Sequence, residues 1–115
     1  LSKLNAAAWG NGYAGDPFYG APTVIVVLAK ADSRFIKEDG SLVMGNLMNA
    51  AHALGLGSCW IHRAREVFES DEGKALLKKW GVEGDYVGVG NCILGYAAEE
   101  PAMRPRKDDF VYYVL

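Results

Sequence analysis

The chain has 115 residues, of which 50% are hydrophobic and 23% charged; that is one ordinary domain able to bury a core, and not a disordered tail, a collagen-like repeat or a mucin-like stalk. The 12 Lys and Arg against 14 Asp and Glu leave a net charge of -2, without the basic excess of a generic nucleic-acid binder. Cys59 and Cys92 are too few for a disulfide scaffold and lack zinc-knuckle spacing, and they fit a reducing, cytoplasmic setting.

Residues 1 to 22 read as irregular, with one helical turn over Asn5-Ala6-Ala7-Ala8-Trp9 before Gly10, Gly12, Gly15 and Pro17 break the pattern. No charged start precedes an apolar stretch, so no signal peptide is expected. The chain opens on Leu1 rather than Met, so a processed, truncated or partly observed chain is the expectation. Pro22 pushes Ala21 toward extended geometry. The run Thr23 to Ala29 follows as a strand. Its apolar character does not alternate, which predicts burial on both faces, as in a central strand. It is the longest apolar run and falls far short of the ~20 residues that cross a membrane.

After a polar connection, Asp39-Gly40-Ser41 opens a helix, with Asp39 or Ser41 as N-cap. It runs to about Leu54, burying Val43, Met44, Leu47, Met48, Ala51 and Leu54 along one face. Gly55-Leu56-Gly57 ends it, and Ser58 to His62 forms a short strand. Arg63 to Phe68 reads as a helical turn. Ser70-Asp71-Glu72-Gly73 opens a further helix with acids near its positive end, closed by Gly81. Tyr86 to Tyr96 is the next strand. Strict alternation puts Val87, Val89, Asn91 and Ile93 on one face and Gly88, Gly90, Cys92 and Leu94 on the other, where glycine marks close approach of a helix or ligand. A charged arm, 97–109, leads to a final strand, Phe110 to Leu115. No repeat, low-complexity tract or linker is present, so 1–115 is expected to be a single domain.

Four groups of residues invite a functional reading. Gly10-Asn11-Gly12-Tyr13-Ala14-Gly15 fits the G-x-G-x-x-G dinucleotide pattern, but no strand leads in and Asp16-Pro17 follows, so the pattern is rejected. His52, Cys59, His62 and Cys92 lack metal-ligand geometry, since Cys59 and His62 point to opposite faces of a strand. Nor does anything orient a base for a cysteine nucleophile. Arg104-Pro105-Arg106-Lys107 is a compact basic cluster. It reads either as a solvated loop or as a phosphate clamp, because arginine offers a planar fork of donors and proline stiffens the arm. Gly55 to His62 pairs a glycine-rich turn with a short strand able to offer free N–H groups, though a plain helix cap and strand has the same composition.

Taken in order, Tyr19-Gly20-Ala21-Pro22 before a hydrophobic strand, Asp39-Gly40-Ser41, Gly55-Leu56-Gly57-Ser58-Cys59-Trp60-Ile61, and Gly95-Tyr96 before a basic arm resemble the C-terminal two-thirds of the nitroreductase family. These are FMN-dependent NAD(P)H oxidoreductases. The resemblance implies an α+β fold with a mixed sheet between helices. It also implies a homodimer with FMN at the interface, in which a C-terminal segment such as Phe110 to Leu115 crosses to the partner's sheet. The backbone of Trp60, Ile61, His62 and Arg63 would contact the flavin ring near N5, and Arg104, Arg106 and Lys107 would reach its phosphate. No acid–base side chain is required for catalysis, because the chemistry belongs to the cofactor. NAD(P)H would supply hydride by a ping-pong course to a nitroaromatic, a quinone or a similar small acceptor. The family's N-terminal helices, with an Arg-Ser-x-Arg-like phosphate motif, have no counterpart here. The alternatives are therefore a non-enzymatic flavin-binding or interaction module, or a related enzyme of dehalogenation or flavin breakdown.

Overall fold

The computed structural model describes residues 1–115. Its elements follow in the order α1 (Ser2–Trp9), β1 (Thr23–Lys30), α2 (Ile36–Ala53), β2 (Gly57–Ile61), α3 (Ala64–Glu69), α4 (Asp71–Lys79) and β3 (Tyr86–Gly95). The class is the expected α+β, a sheet flanked by helices. The sheet is not mixed, however: β3 lies in the middle and both β1 and β2 pair with it antiparallel. The first apolar run is thus an edge strand here and not a central one. Val27 is buried and its neighbours from Val24 to Leu28 are half-buried, because helices cover both faces of the sheet. Burial on two faces was legible in the run; its neighbours in the sheet were not.

Two layers sandwich the sheet. On one face Val27, Met44 and Cys92 pack with Ile25, Leu47, Val89 and Leu94 beneath α2. On the other, Ala64, Val67, Phe68 and Leu77 pack with Leu4, Val26 and Leu28 beneath α1, α3 and α4. Phe18, Ile61 and Ile93 extend that second layer.

A bulge interrupts the β1–β3 register between Val27 and Leu28, leaving Val89 as the extra residue. Val89 and Gly90 both turn toward α2: Val89 meets Gly40, and Gly90 lies under the Trp60 indole. Gly88 faces the opposite layer, against the Ala64 carbonyl. Asn91 and Ile93 consequently share a face with Gly88 and not with Val87 and Val89, contrary to strict alternation.

Helix α2 begins at Ile36 behind Phe35, with no side-chain cap, so Asp39 and Ser41 lie inside it and cap nothing. Glu38 and Asp39 instead sit in the first turn, where negative charge is favoured. Gly40 marks contact rather than a start, since a Cβ there would run into Val89. Met44 and Ala51 are buried as expected, but Val43 and Leu54 are 48% and 77% exposed. Helix α4 follows its sequence signals: the Ser70 hydroxyl accepts the Gly73 N–H at 3.0 Å, and Gly81 ends the helix at φ 76°. Residues 97–115 form neither helix nor strand and are exposed. The strand expected over Phe110 to Leu115 does not form within the chain, because a strand exists only through pairing and no edge of its own sheet receives it. No helix is long and apolar enough to cross a membrane.

Candidate functional site

Trp60 and Ile61 end β2, and His62 and Arg63 turn the chain into α3. Ile61 is buried in the second layer against Phe18 and Ile93. Trp60 and His62, two residues apart on the other face, stack with ring centroids 5.8 Å apart. The Trp60 indole N–H is buried without a partner. The ladder with β3 stops at Ile61, and the His62 N–H donates to no other backbone group.

Arg63 takes a left-handed conformation, φ 78°, which costs a residue with a Cβ about 1–3 kcal/mol. Its side chain is held twice. Nη1 donates to Glu66 Oε1 at 2.8 Å, and the guanidinium lies 4.9 Å from the centre of the Trp9 ring. The hydrogen bond from Arg63 keeps the Glu66 carboxyl below its ordinary range.

Across from the strand end, Trp9, Tyr13, Pro17 and Tyr19 wall a cleft of about 340 Å³ with the segment Cys59 to His62. Its shape follows from the glycine-rich segment. Gly10, Asn11 and Gly12 all have positive φ, and they reverse the chain so that Tyr13 stacks on Trp9 with centroids 6.0 Å apart. The G-x-G-x-x-G segment therefore builds an aromatic wall and not a phosphate cradle. Asp16 pins the loop by accepting the N–H groups of Phe18 at 3.1 Å and Gly20 at 2.7 Å and the Ser2 hydroxyl at 2.9 Å. These bonds, the Phe18 N–H foremost, hold its carboxyl below the usual range.

From the sequence, Tyr19 enters only within the Tyr19-Gly20-Ala21-Pro22 motif, and Trp9 and Tyr13 carry no signal as site residues. Asn5 and Asn91 carry none either. Both are fully buried, and Asn91 Nδ2 donates to Asn5 Oδ1 at 3.2 Å. Since Asn91 lies opposite Ile61, this bond ties α1, and with it Trp9, to the strand end.

The structure brings Trp60, Ile61, His62 and Arg63 together but not the basic arm. Arg104, Arg106 and Lys107 are exposed in the irregular tail, do not line the aromatic cleft, and take no part in the chain's ion pairs, Arg63–Glu66 and Arg65–Glu69. Cys59 is exposed and Cys92 buried, both as free thiols, and burial pushes the Cys92 thiol up. No group of three or more His, Cys, Asp or Glu side chains is placed to hold a metal ion.

Several solved structures share this fold. A nitroreductase with bound FMN from Bacteroides fragilis superposes with a TM-score of 0.79 at 24% identity, over 98% of this chain and 67% of that one. An FMN-dependent nitroreductase from Clostridium difficile R20291 gives 0.68 at 26% identity, over 97% and 68%. Iodotyrosine deiodinase bound to FMN and 3-iodo-L-tyrosine gives 0.61 at 23% identity, over 87% and 51%. The chain thus spans about two-thirds of the length of the first two and half of the third. No curated protein matches it. The model of the nitroreductase family matches residues 6–96, from the second turn of α1 to the end of β3, and the chain belongs to that family.

Proposed function

We propose that the chain serves an FMN-dependent oxidoreductase. The observation that carries this reading is the end of β2, where an uncommitted His62 N–H borders a cleft walled by aromatic rings. A flat heteroaromatic ring with an acceptor atom at its edge suits such a place: ring faces stack on ring faces, and the N–H meets the acceptor. FMN bound there would supply hydride transfer, in two successive half-reactions, between NAD(P)H and a nitroaromatic, a quinone or a similar electron-poor acceptor.

The residues of this chain bind and orient. Trp60, Ile61, His62 and Arg63 present backbone to the ring. The aromatic wall excludes water from one side of it, and the Arg63 guanidinium, packed on the Trp9 ring, brings positive charge to the back of that wall. Arg104, Arg106 and Lys107, uncommitted within the chain, supply a charge-assisted clamp for the phosphate once the arm is drawn in. A homodimer completes the reading, because the arm carrying these residues finds no partner in its own chain.

A second reading, a flavin-binding module without turnover, fits the same cleft, because ring stacking and an N–H contact hold a flat ring whether or not it turns over. Absorbance of the purified protein decides between them. We expect a bound flavin spectrum that NADH or NADPH bleaches without oxygen and a quinone or nitroaromatic restores. A flavin that neither nucleotide bleaches supports the module, and a protein that takes up no added FMN overturns both.

A further inference from the structure

A second cleft, of about 580 Å³, opens between the start of α2 and the first residues of β3. Its charge runs against that of the chain. Arg34, Lys37, Arg65 and His62 line it, with Glu38 the one acid, in a protein of net charge -2. Arg65 is engaged by Glu69 at 2.8 Å, whereas neither Arg34 nor Lys37 takes part in an ion pair. Helix α2 starts at the same place without a side-chain cap, so its first N–H groups add to the positive potential. Trp60 and His62 line this cleft and the aromatic one alike. The two clefts therefore adjoin at the strand end where the flavin ring is proposed to lie.

We propose that this cleft is an anion subsite for the hydride donor. It holds the phosphate groups of a nicotinamide nucleotide while the nicotinamide reaches the ring beside His62. The inference rests on the flavin reading above. The donor, rather than the acceptor, is the reactant with several negative charges: its pyrophosphate alone carries two, whereas quinones and simple nitroaromatics carry none. Arginine's planar fork matches phosphate oxygens, and the cleft is of the size that small-molecule sites commonly have.

The test uses the double variant Arg34→Gln/Lys37→Gln, altered at exposed positions, with Lys78→Gln/Lys79→Gln on the far end of α4 as control. The first measurement needs no flavin. Inorganic pyrophosphate, titrated calorimetrically into the chain, is expected to bind the original protein and the control alike and the double variant at least ten-fold more weakly. The second uses flavin-loaded protein and two donors, NADPH and the uncharged 1-benzyl-1,4-dihydronicotinamide. The double variant should raise KM for NADPH about ten-fold or more, with kcat kept and the uncharged donor unaffected. Equal pyrophosphate affinity in all three proteins, or a KM that rises equally for both donors, overturns the subsite and leaves the flavin reading standing. A protein that takes no flavin but binds pyrophosphate through Arg34 and Lys37 overturns the flavin reading and keeps the anion site.

Discussion

At the scale of single residues, the strand end separates what a side chain does from what a backbone does. His62 is exposed, and its imidazole stacks on Trp60, but the group proposed to meet the flavin is its N–H, which any residue except proline possesses. His62→Ala should therefore keep FMN and most NAD(P)H oxidation, and His62→Pro should lose both, because the donor is gone. Flavin content and turnover measured side by side check this. A fall of about a hundred-fold in turnover for His62→Ala with flavin retained would instead assign the imidazole as a general acid, since proton transfer by a positioned side chain contributes about that much. Arg63 differs from its neighbour. Its left-handed backbone is opposed by the Cβ, and the ion pair to Glu66 and the contact with Trp9 offset that cost. Each contributes about 0–2 kcal/mol at a partly exposed position.

At the scale of elements, glycine reports where layers touch. A Cβ at Gly88 would meet the Ala64 carbonyl, whereas one at Gly45, midway along α2, would meet nothing. Gly88→Ala should then destabilise the fold by about 1–3 kcal/mol, the usual cost of overpacking. Gly45→Ala should stabilise it by about 0.5–1 kcal/mol through helix propensity. Urea titrations of the two variants are expected to move in opposite directions, and a shift of the same sign would contradict the contact at Gly88.

These glycines also mark how far the sequence could be read. Helix α4 was legible from Ser70 to Gly81 because its cap, its charges and its terminator are all local. The strand ending at Ile61 and its glycine-rich approach were legible for the same reason. The start of α2 was not: Gly40 looks like a break, and only contact with Val89, far along the chain, explains it. The partition of β3 failed similarly, since a bulge is a property of two strands and leaves no mark on either one alone. Of the candidate site, the backbone half could be named in advance. The aromatic half could not, because Trp9 and Tyr13 approach the strand through a loop whose path depends on three consecutive positive φ angles.

At the scale of the whole molecule, the chain is larger than its length requires. Its radius of gyration is 16.6 Å, against about 13 Å for a compact chain of this length. The excess is consistent with the tail, in which the residues from Phe110 to Leu115 are each at least 63% exposed. Leu42 and Val43 on α2 and Leu54 just after it add exposed apolar surface, more than a monomer readily tolerates. Light scattering at micromolar concentration should find a dimer, and deletion of residues 110–115 should shift it toward monomer. A compact monomer formed by the intact chain would count against the crossing arm.

The bulge in β3 has a further consequence, for how the chain tolerates insertion and deletion. With Val89 as its extra residue, β3 behaves as two short strands set in opposite phase, Tyr86–Gly88 and Gly90–Gly95, each presenting its small residues to a different layer. Removing Val89 would close the bulge and straighten the ladder while leaving composition and hydropathy almost unchanged. Gly88 would stay opposite Leu28 and Gly90 opposite Val27, so every other residue would keep its partner and its layer, and only the contact of Val89 with Gly40 would be lost. A second deletion at the same place would find no extra residue to absorb it, and would turn the residues on one side of the join to the opposite layer. The strand thus carries one residue of slack at a known position, and none beyond it.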